Sequence, residues 1–244
     1  MSNNRLSQSS LSASGEERST RASLVANSLR NRIMAGELEP DMQLRVQSLA
    51  DHYAVALSPV REALNRLASE GLVTAHDMRG FFVSSVSEAE LDELTRTRCW
   101  LNETALRQSM AEGGAAWEEE VLLSYHRLSR LTRRTPTGEV SAEWSDAHRT
   151  FHRALTTGCR SEILVGFCDQ LFVQAERYRN LSRQAPAASP LQRDDEHRII
   201  VEAVLARNAD HAVSLLNDHF AATAKLCRSV LLSRDPGDAR RTSA

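Results

Sequence analysis

Five of the chain's eight histidines lie beyond Trp144: His148, His152, His197, His211 and His219. His148 and His152 are four residues apart in a stretch of helical periodicity, which places both rings on one face of one helix. His197 stands beside Ile199, Ile200 and Val204, and His219 near Leu215, Leu216 and Phe220, each within the apolar pattern of a later helix. Four imidazoles converging inside a helical bundle form a candidate site for zinc, nickel or a similar divalent ion, because neutral imidazole suits those metals. Surface coincidence and hydrogen-bonded core histidines produce the same spacing, so spacing alone leaves all three readings open. His211, next to Asp210, reads as solvent-facing, and His126 has no partner in the pattern. The run His148-Arg149-Thr150-Phe151-His152 has the two-His frame of a zinc protease but carries Arg where the general-base Glu belongs. No Ser-centred elbow or Gly-rich phosphate loop is present, so an enzyme, such as a metal-dependent hydrolase, is a remote reading.

A second chemistry-bearing stretch is Ser58 to Val73, SPVREALNRLASEGLV. Ser58 can cap a helix and Pro59 suits its first position. Val60, Ala63, Leu64, Leu67 and Ala68 form one apolar stripe. Arg61, Asn65 and Arg66 project from the other faces, and Gly71 ends the helix as a left-handed cap position prefers. Arg pairs with guanine and Asn with adenine, although phosphate contacts are as common, so Arg61 leads, with Asn65 and Arg66 behind it. Leu72-Val73-Thr74 and Phe81-Phe82-Val83 read as two short strands, with Met78-Arg79-Gly80 near the turn. A polar-faced helix followed at once by a hairpin is the shape of a winged helix-turn-helix.

The elements before it complete that module. Leu24, Val25, Leu29, Ile33 and Met34 predict a helix over residues 23–34, with a turn around Pro40. Val46 to Tyr53 predicts a short second helix, at whose start Arg45 is a candidate for a backbone contact with a duplex. Residues 1–18, polar and Ser-rich, are expected to be disordered. The winged module is assigned to residues 19–86. From Ser87 onward the pattern is helical throughout: 88–112 (capped by Ser87, with Glu90 at capping-box spacing), 117–131, 144–155, 162–183, 192–207 and 209–234. Inward residues on the fourth of these are expected at Ile163, Phe167, Leu171, Ala175 and Tyr178. A Pro/Ala/Ser linker is expected at 185–190 and a frayed tail at 235–244. The fold class expected is therefore mainly α, with a winged helix-turn-helix followed by an all-α antiparallel bundle at 87–234.

Composition narrows the partners. A net charge of −2 argues against binding nucleic acid by bulk charge. Residues 1–86 hold nine Arg and nine acidic residues, so duplex binding there requires segregated charge. No apolar run approaches the roughly 20 residues of a membrane helix, and the N-terminus lacks the apolar centre of a secretory signal. Cys99, Cys159, Cys168 and Cys227 show no C-x-x-C pairing, which fits a reduced cytoplasm.

The chain also resembles the GntR family of bacterial regulators. The resemblance is carried by a PVREAL run at Pro59 to Leu64, a GLV helix exit at Gly71 to Val73, and an RG wing tip at Arg79-Gly80. It implies that Arg79 and Gly80 bring the wing to a neighbouring minor groove. Leu57 stands where many relatives carry Arg. Residues 87–234 are similar to the FCD domain of the FadR-like branch, an antiparallel bundle that in many members binds a divalent metal and a small carboxylate. The resemblance implies ligands at His152 of the Phe151-His152 pair, at His197 and at His219, with His148 where the family usually has Asp or Asn. Without that carboxylate the preference for Mg or Mn weakens. Arg98, in an R-x-x-L step ending at Leu101, matches the family's Arg and can hold a carboxylate with its planar fork. Asn102 follows where Glu is frequent, and Arg177 and Tyr178 are further candidates for the effector cavity. The function implied is a cytoplasmic, homodimeric repressor of a catabolic operon, bound to palindromic operator DNA and released by an organic or sugar acid. The alternative is the same regulator without metal, taking a larger apolar acid or acyl thioester; the histidine set argues against it.

Overall fold

The computed structural model describes residues 6–135, 141–183 and 194–233. By internal contacts the chain divides into two units, Met1–Val86 and Ser87–Ala244. The expected linker at 185–190 and the tail at 235–244 lie outside the described residues, as do 136–140 of the loop before Trp144.

The first unit contains α1 (Leu6–Ala35), β1 (Gln43–Leu44), α2 (Val46–Tyr53), α3 (Leu57–Ser69), β2 (Val73–His76) and β3 (Gly80–Val83). Val60, Ala63, Leu64 and Leu67 of α3 are fully buried, as are Ala22, Ala26 and Leu29 of α1, the helix against which α3 packs. Gly71, at φ +75°, closes α3. The Leu72 N–H donates to Leu67 O and the Gly71 N–H to Ala68 O, both at 3.0 Å, so two end carbonyls are satisfied. Ser58 does not cap the helix. Extended backbone stops at Ala56 (φ −69°, ψ 164°), helical backbone begins at Leu57, and no side chain accepts at the cap. Pro59 is tolerated because it still lies in the first turn, where its missing N–H costs nothing.

The expected hairpin is widened by one strand. β1 pairs with β3 on the side opposite β2, giving the antiparallel order β1-β3-β2, with Leu44 opposite Phe81 and Val73 opposite Val83. β1 follows directly on the turn around Pro40, and its two residues are too few to show alternation. α1 is also longer than its apolar stripe. It runs back to Leu6 through residues expected to be disordered, since nothing before Pro40 forces a break.

The second unit is a bundle of α4 (Glu88–Glu112), α5 (Ala115–Ser129), α6 (Ala142–Thr157), α7 (Glu162–Arg183), α8 (Asp194–Leu205) and α9 (Ala209–Ser233). Its core gathers Leu106, Trp117, Val121, Phe151, Leu155, Ile200, Leu216 and Phe220. At the start of α4 the Glu90 N–H donates to Ser87 Oγ at 3.1 Å, half of the expected capping box. The other half is absent: the Glu90 carboxylate instead accepts from the Tyr178 hydroxyl at 2.8 Å. The Trp117 indole N–H donates to Ala154 O at 2.8 Å and ties α5 to α6. No described helix is long and apolar enough to cross a membrane.

On α7 the expected inward face is wrong in part. Ile163 is 75% and Phe167 52% exposed. Val165, Cys168, Phe172 and Arg179 are buried instead, a stripe rotated from the one that hydrophobicity alone picks out.

Candidate metal centre and nucleic-acid interface

α6 carries His148 and His152, α8 carries His197 and α9 carries His219, and the bundle brings the four rings together. One potential ligand atom from each lies within 4.8 Å of all the others, and all four side chains are buried. His152 Nε2 is 3.0 Å from His148 Nε2. His219 Nδ1 is 2.7 Å from a Glu196 carboxylate oxygen, which fixes the proton on Nδ1. The Trp144 ring stacks on His148 with centroids 4.7 Å apart. Arg179 also lies against His148, its Nη2 3.2 Å from Nδ1 and its Nη1 3.3 Å from Nε2, and it is held there by Glu176 at 2.5 Å.

Burial, then the Arg179 charge, holds His148 well below the usual imidazole pKa; burial, then His219, does the same for His152. Both are therefore neutral and carry a lone pair near pH 7. His152 Nδ1 is a buried ring nitrogen with no hydrogen-bond partner, the kind of gap that marks a missing group. Neutral, buried nitrogen donors with a carboxylate behind one of them fit a borderline divalent ion such as zinc or nickel. They do not suit magnesium, which demands oxygen.

Arg98 of α4 forms a wall common to two cavities beside this cluster. One is lined by Arg98, Asn102, His152, Arg153, Asp169 and Phe172, among others; the second by Arg98, His148, Glu176, Arg179, His219 and Thr223, among others. The Arg98 guanidinium lies 4.0 Å from the Phe220 ring centroid, and its Nε is buried without a partner. Burial, then Arg179, lowers its pKa to about 10, so it stays cationic at neutral pH. Asn102 is also buried, its amide donating to Arg98 O at 2.9 Å. Arg177 is buried, and neither it nor Tyr178 is among the residues lining the two cavities. Tyr178 is committed to Glu90 and to the Ser87 N–H.

Sequence reasoning missed Arg179 and Glu196. Arg179 follows from the correct α7 stripe, seven residues beyond Phe172, and was hidden by the misleading exposed pair Ile163 and Phe167. Glu196 immediately precedes His197, but only packing reveals that it serves His219.

In the first unit, Arg61 and Asn65 of α3 are exposed, as is Ser58 beside them. Arg61 forms no hydrogen bond or ion pair among the described residues. Arg66 is half-buried, and its guanidinium bonds Ser23 Oγ at 3.0 Å and Glu62 at 3.5 Å. Arg45 is exposed at the start of α2 and reaches Gln43 at 3.3 Å. At the wing tip Arg79 is exposed and lies 5.7 Å from the Phe82 ring centroid, while Met78 and Gly80 both have positive φ, 61° and 87°.

A three-helix unit with an antiparallel sheet at its end, followed by a helical bundle with a buried polar centre, defines a two-part DNA-binding regulator. Residues 21–83 match the family described as bacterial regulatory proteins, gntR family, and residues 93–222 match the FCD domain. The chain belongs to the GntR family and is a ligand-responsive transcriptional regulator. It is 36% identical over 194 residues to the HTH-type transcriptional repressor GlaR of Escherichia coli K12, covering 78% of this chain and 88% of GlaR. It is 37% identical over 210 residues to the uncharacterized HTH-type transcriptional regulator BphR of Paraburkholderia xenovorans LB400, covering 84% of each. Among solved structures, E. coli McbR/YncC shares the fold with a TM-score of 0.68 at 20% identity, over 86% of this chain and 97% of that one.

Proposed function

We propose that the chain is a repressor whose grip on operator DNA is released when a small organic or sugar acid enters the bundle, with a divalent metal, zinc or nickel, held in the histidine cluster. The carrying observation is the buried, cationic Arg98 beside four buried imidazoles. Only donors and lone pairs face these cavities from Arg98 and the histidines, and a carboxylate satisfies the former while an ion satisfies the latter. The ion, when bound, would supply a Lewis-acidic anchor for the acid's oxygens. Asn102, by bonding Arg98 O, helps hold α4 where the guanidinium reaches the cavity. The repressor title of the E. coli relative supports the sign of the response.

The duplex would be met by α3 through Arg61, Asn65 and Ser58, with Arg45 and Arg66 beside them and Arg79-Gly80 at the wing. A palindromic operator calls for a second copy of the chain. Exposed Ile163 and Phe167 are apolar surface that a partner subunit would cover. The protein would act in the cytoplasm. The test is fluorescence anisotropy on DNA from the region upstream of its own coding sequence, titrated with small carboxylates, with and without prior chelation. The expected result is weaker DNA binding with at least one acid, and loss of that response after chelation. Tighter DNA binding with every acid that binds would overturn release. Response to an acyl thioester but to no small acid, unchanged by chelation, would favour the metal-free alternative.

A further inference from the structure

Leu57 is the first residue of α3, and it is 42% exposed. The core has no claim on it, because Val60, Ala63, Leu64 and Leu67 bury the other side of the helix completely. Helix residues four apart lie one above the other. Leu57, Arg61 and Asn65 therefore form a single exposed row, with Ser58 beside it. Ala56, just ahead of the helix, is exposed as well, and its side chain caps nothing. The row thus opens on an apolar tip and continues with a guanidinium and an amide.

That order of groups suits the major groove of a duplex. Arg and Asn find hydrogen-bonding edges there, but a leucine finds only one methyl group, on C5 of thymine. It gains nothing from a phosphate, so its contact carries base identity and not position along the backbone. In helix-turn-helix proteins the N-terminal residues of the recognition helix are those that reach base edges. Leu57 and Arg61 are about 6 Å apart along the helix axis, roughly two base-pair steps of a duplex, so the two side chains address neighbouring pairs.

We infer that Leu57 packs on the 5-methyl group of a thymine, so that each operator half-site carries an A·T pair within about two base pairs of the one met by Arg61. This rests on the reading of α3 as the element that meets the duplex. It makes Leu57 a specificity-determining residue that works without charge. Removing its side chain changes which sequences are bound and leaves the salt dependence as it was, because only charged groups set that dependence.

The test uses the full-length chain, without added carboxylate, and a library of duplexes with a random core. Selection and sequencing with the wild type, Leu57→Ala, Leu57→Arg and Arg61→Ala give the base preference at each position. The wild type is expected to select T at one position of each half-site. Leu57→Ala should lose that preference and keep the others, and Leu57→Arg should turn it toward G. On the best selected duplex, replacing that thymine by uracil removes the methyl group and nothing else. The wild type should then bind about fourfold more weakly for each methyl removed, the worth of one buried methyl. Leu57→Ala should bind the two duplexes equally, with the same salt dependence as the wild type. The uracil comparison on the wild type needs no variant, so it decides the matter even if Leu57→Ala melts early. If the wild type binds thymine and uracil duplexes alike, or if Leu57→Ala keeps every preference while Arg61→Ala alters them, this inference is wrong and α3 remains the reading element. If neither variant alters any preference, the reading of α3 fails and this inference with it.

Discussion

Arg98 is a cation enclosed by Phe220 and Phe172, with no ion pair among the described residues and an unpartnered Nε. Such a group weakens the fold, because its desolvation is not repaid. Arg98→Met should therefore stabilise the metal-free chain by about 1–4 kcal/mol, the range seen when buried charges are replaced by apolar groups. It should also abolish any thermal shift produced by carboxylates. A melting curve settles both parts, and a destabilised variant that still responds to acid would remove Arg98 from the effector site. Cys168 lies in the wall of the same cavity. Burial first, then the neighbouring Cys159, pushes its thiol up from 9.0 to about 11. At pH 8 its thiolate fraction should be roughly a hundredfold below that of an ordinary cysteine. Alkylation followed by mass spectrometry should find it nearly inert at pH 8, increasingly reactive as the pH rises toward 11, and fully reactive once the chain is unfolded. Rapid labelling of the native chain at pH 8 would contradict the burial described.

At the scale of elements, the α5–α6 contact depends on two glycines. A Cβ at Gly158 would come 2.9 Å from Trp117 Cδ2, and one at Gly113 would meet both the same ring and Ser109 O. Trp117 cannot give way without losing its bond to Ala154 O. Gly158→Ala should cost about 1–3 kcal/mol, the usual range for overpacking a core, visible as a lower denaturation midpoint with an unchanged slope. A neutral outcome would mean that the ring has room to move. Helix existence was legible in the bundle because each amphipathic run is long, and Ser87 announced the start of α4. Helix orientation was less so. Ile163 and Phe167 drew the inward face of α7 toward themselves, whereas the interior instead accepts Glu176 and Arg179 as a paired unit. Hydrophobicity alone cannot anticipate a buried ion pair, since each partner taken singly belongs at the surface.

For the whole molecule, a chain of net charge −2 must concentrate positive charge locally to bind a duplex. The first unit does this by internal cancellation. Arg30 pairs with Glu70, Arg32 with Glu37 and Arg66 with Glu62. Arg45, Arg61 and Arg79 form no ion pair among the described residues, and all three are exposed. Arg61→Ala should lower operator affinity about tenfold or more, as expected for a lost base contact. Were Arg61 to touch phosphate instead, the loss would be similar across sequences and the salt dependence would flatten. Anisotropy at several salt concentrations separates the two, and an unchanged affinity would exclude Arg61 from the interface.

From residues alone came the two-part organisation, the polar-faced helix with its glycine exit, the wing, and four histidines set in apolar runs. These are local matters, governed by periodicity, capping and turn chemistry within a few residues. Packing between distant segments decided the rest. Glu196 stands 23 positions from the ring it orients, and Arg179 31 from the ring it restrains. Which nitrogen of a histidine is free depends on the partner that folding places behind it, and no spacing rule carries that information.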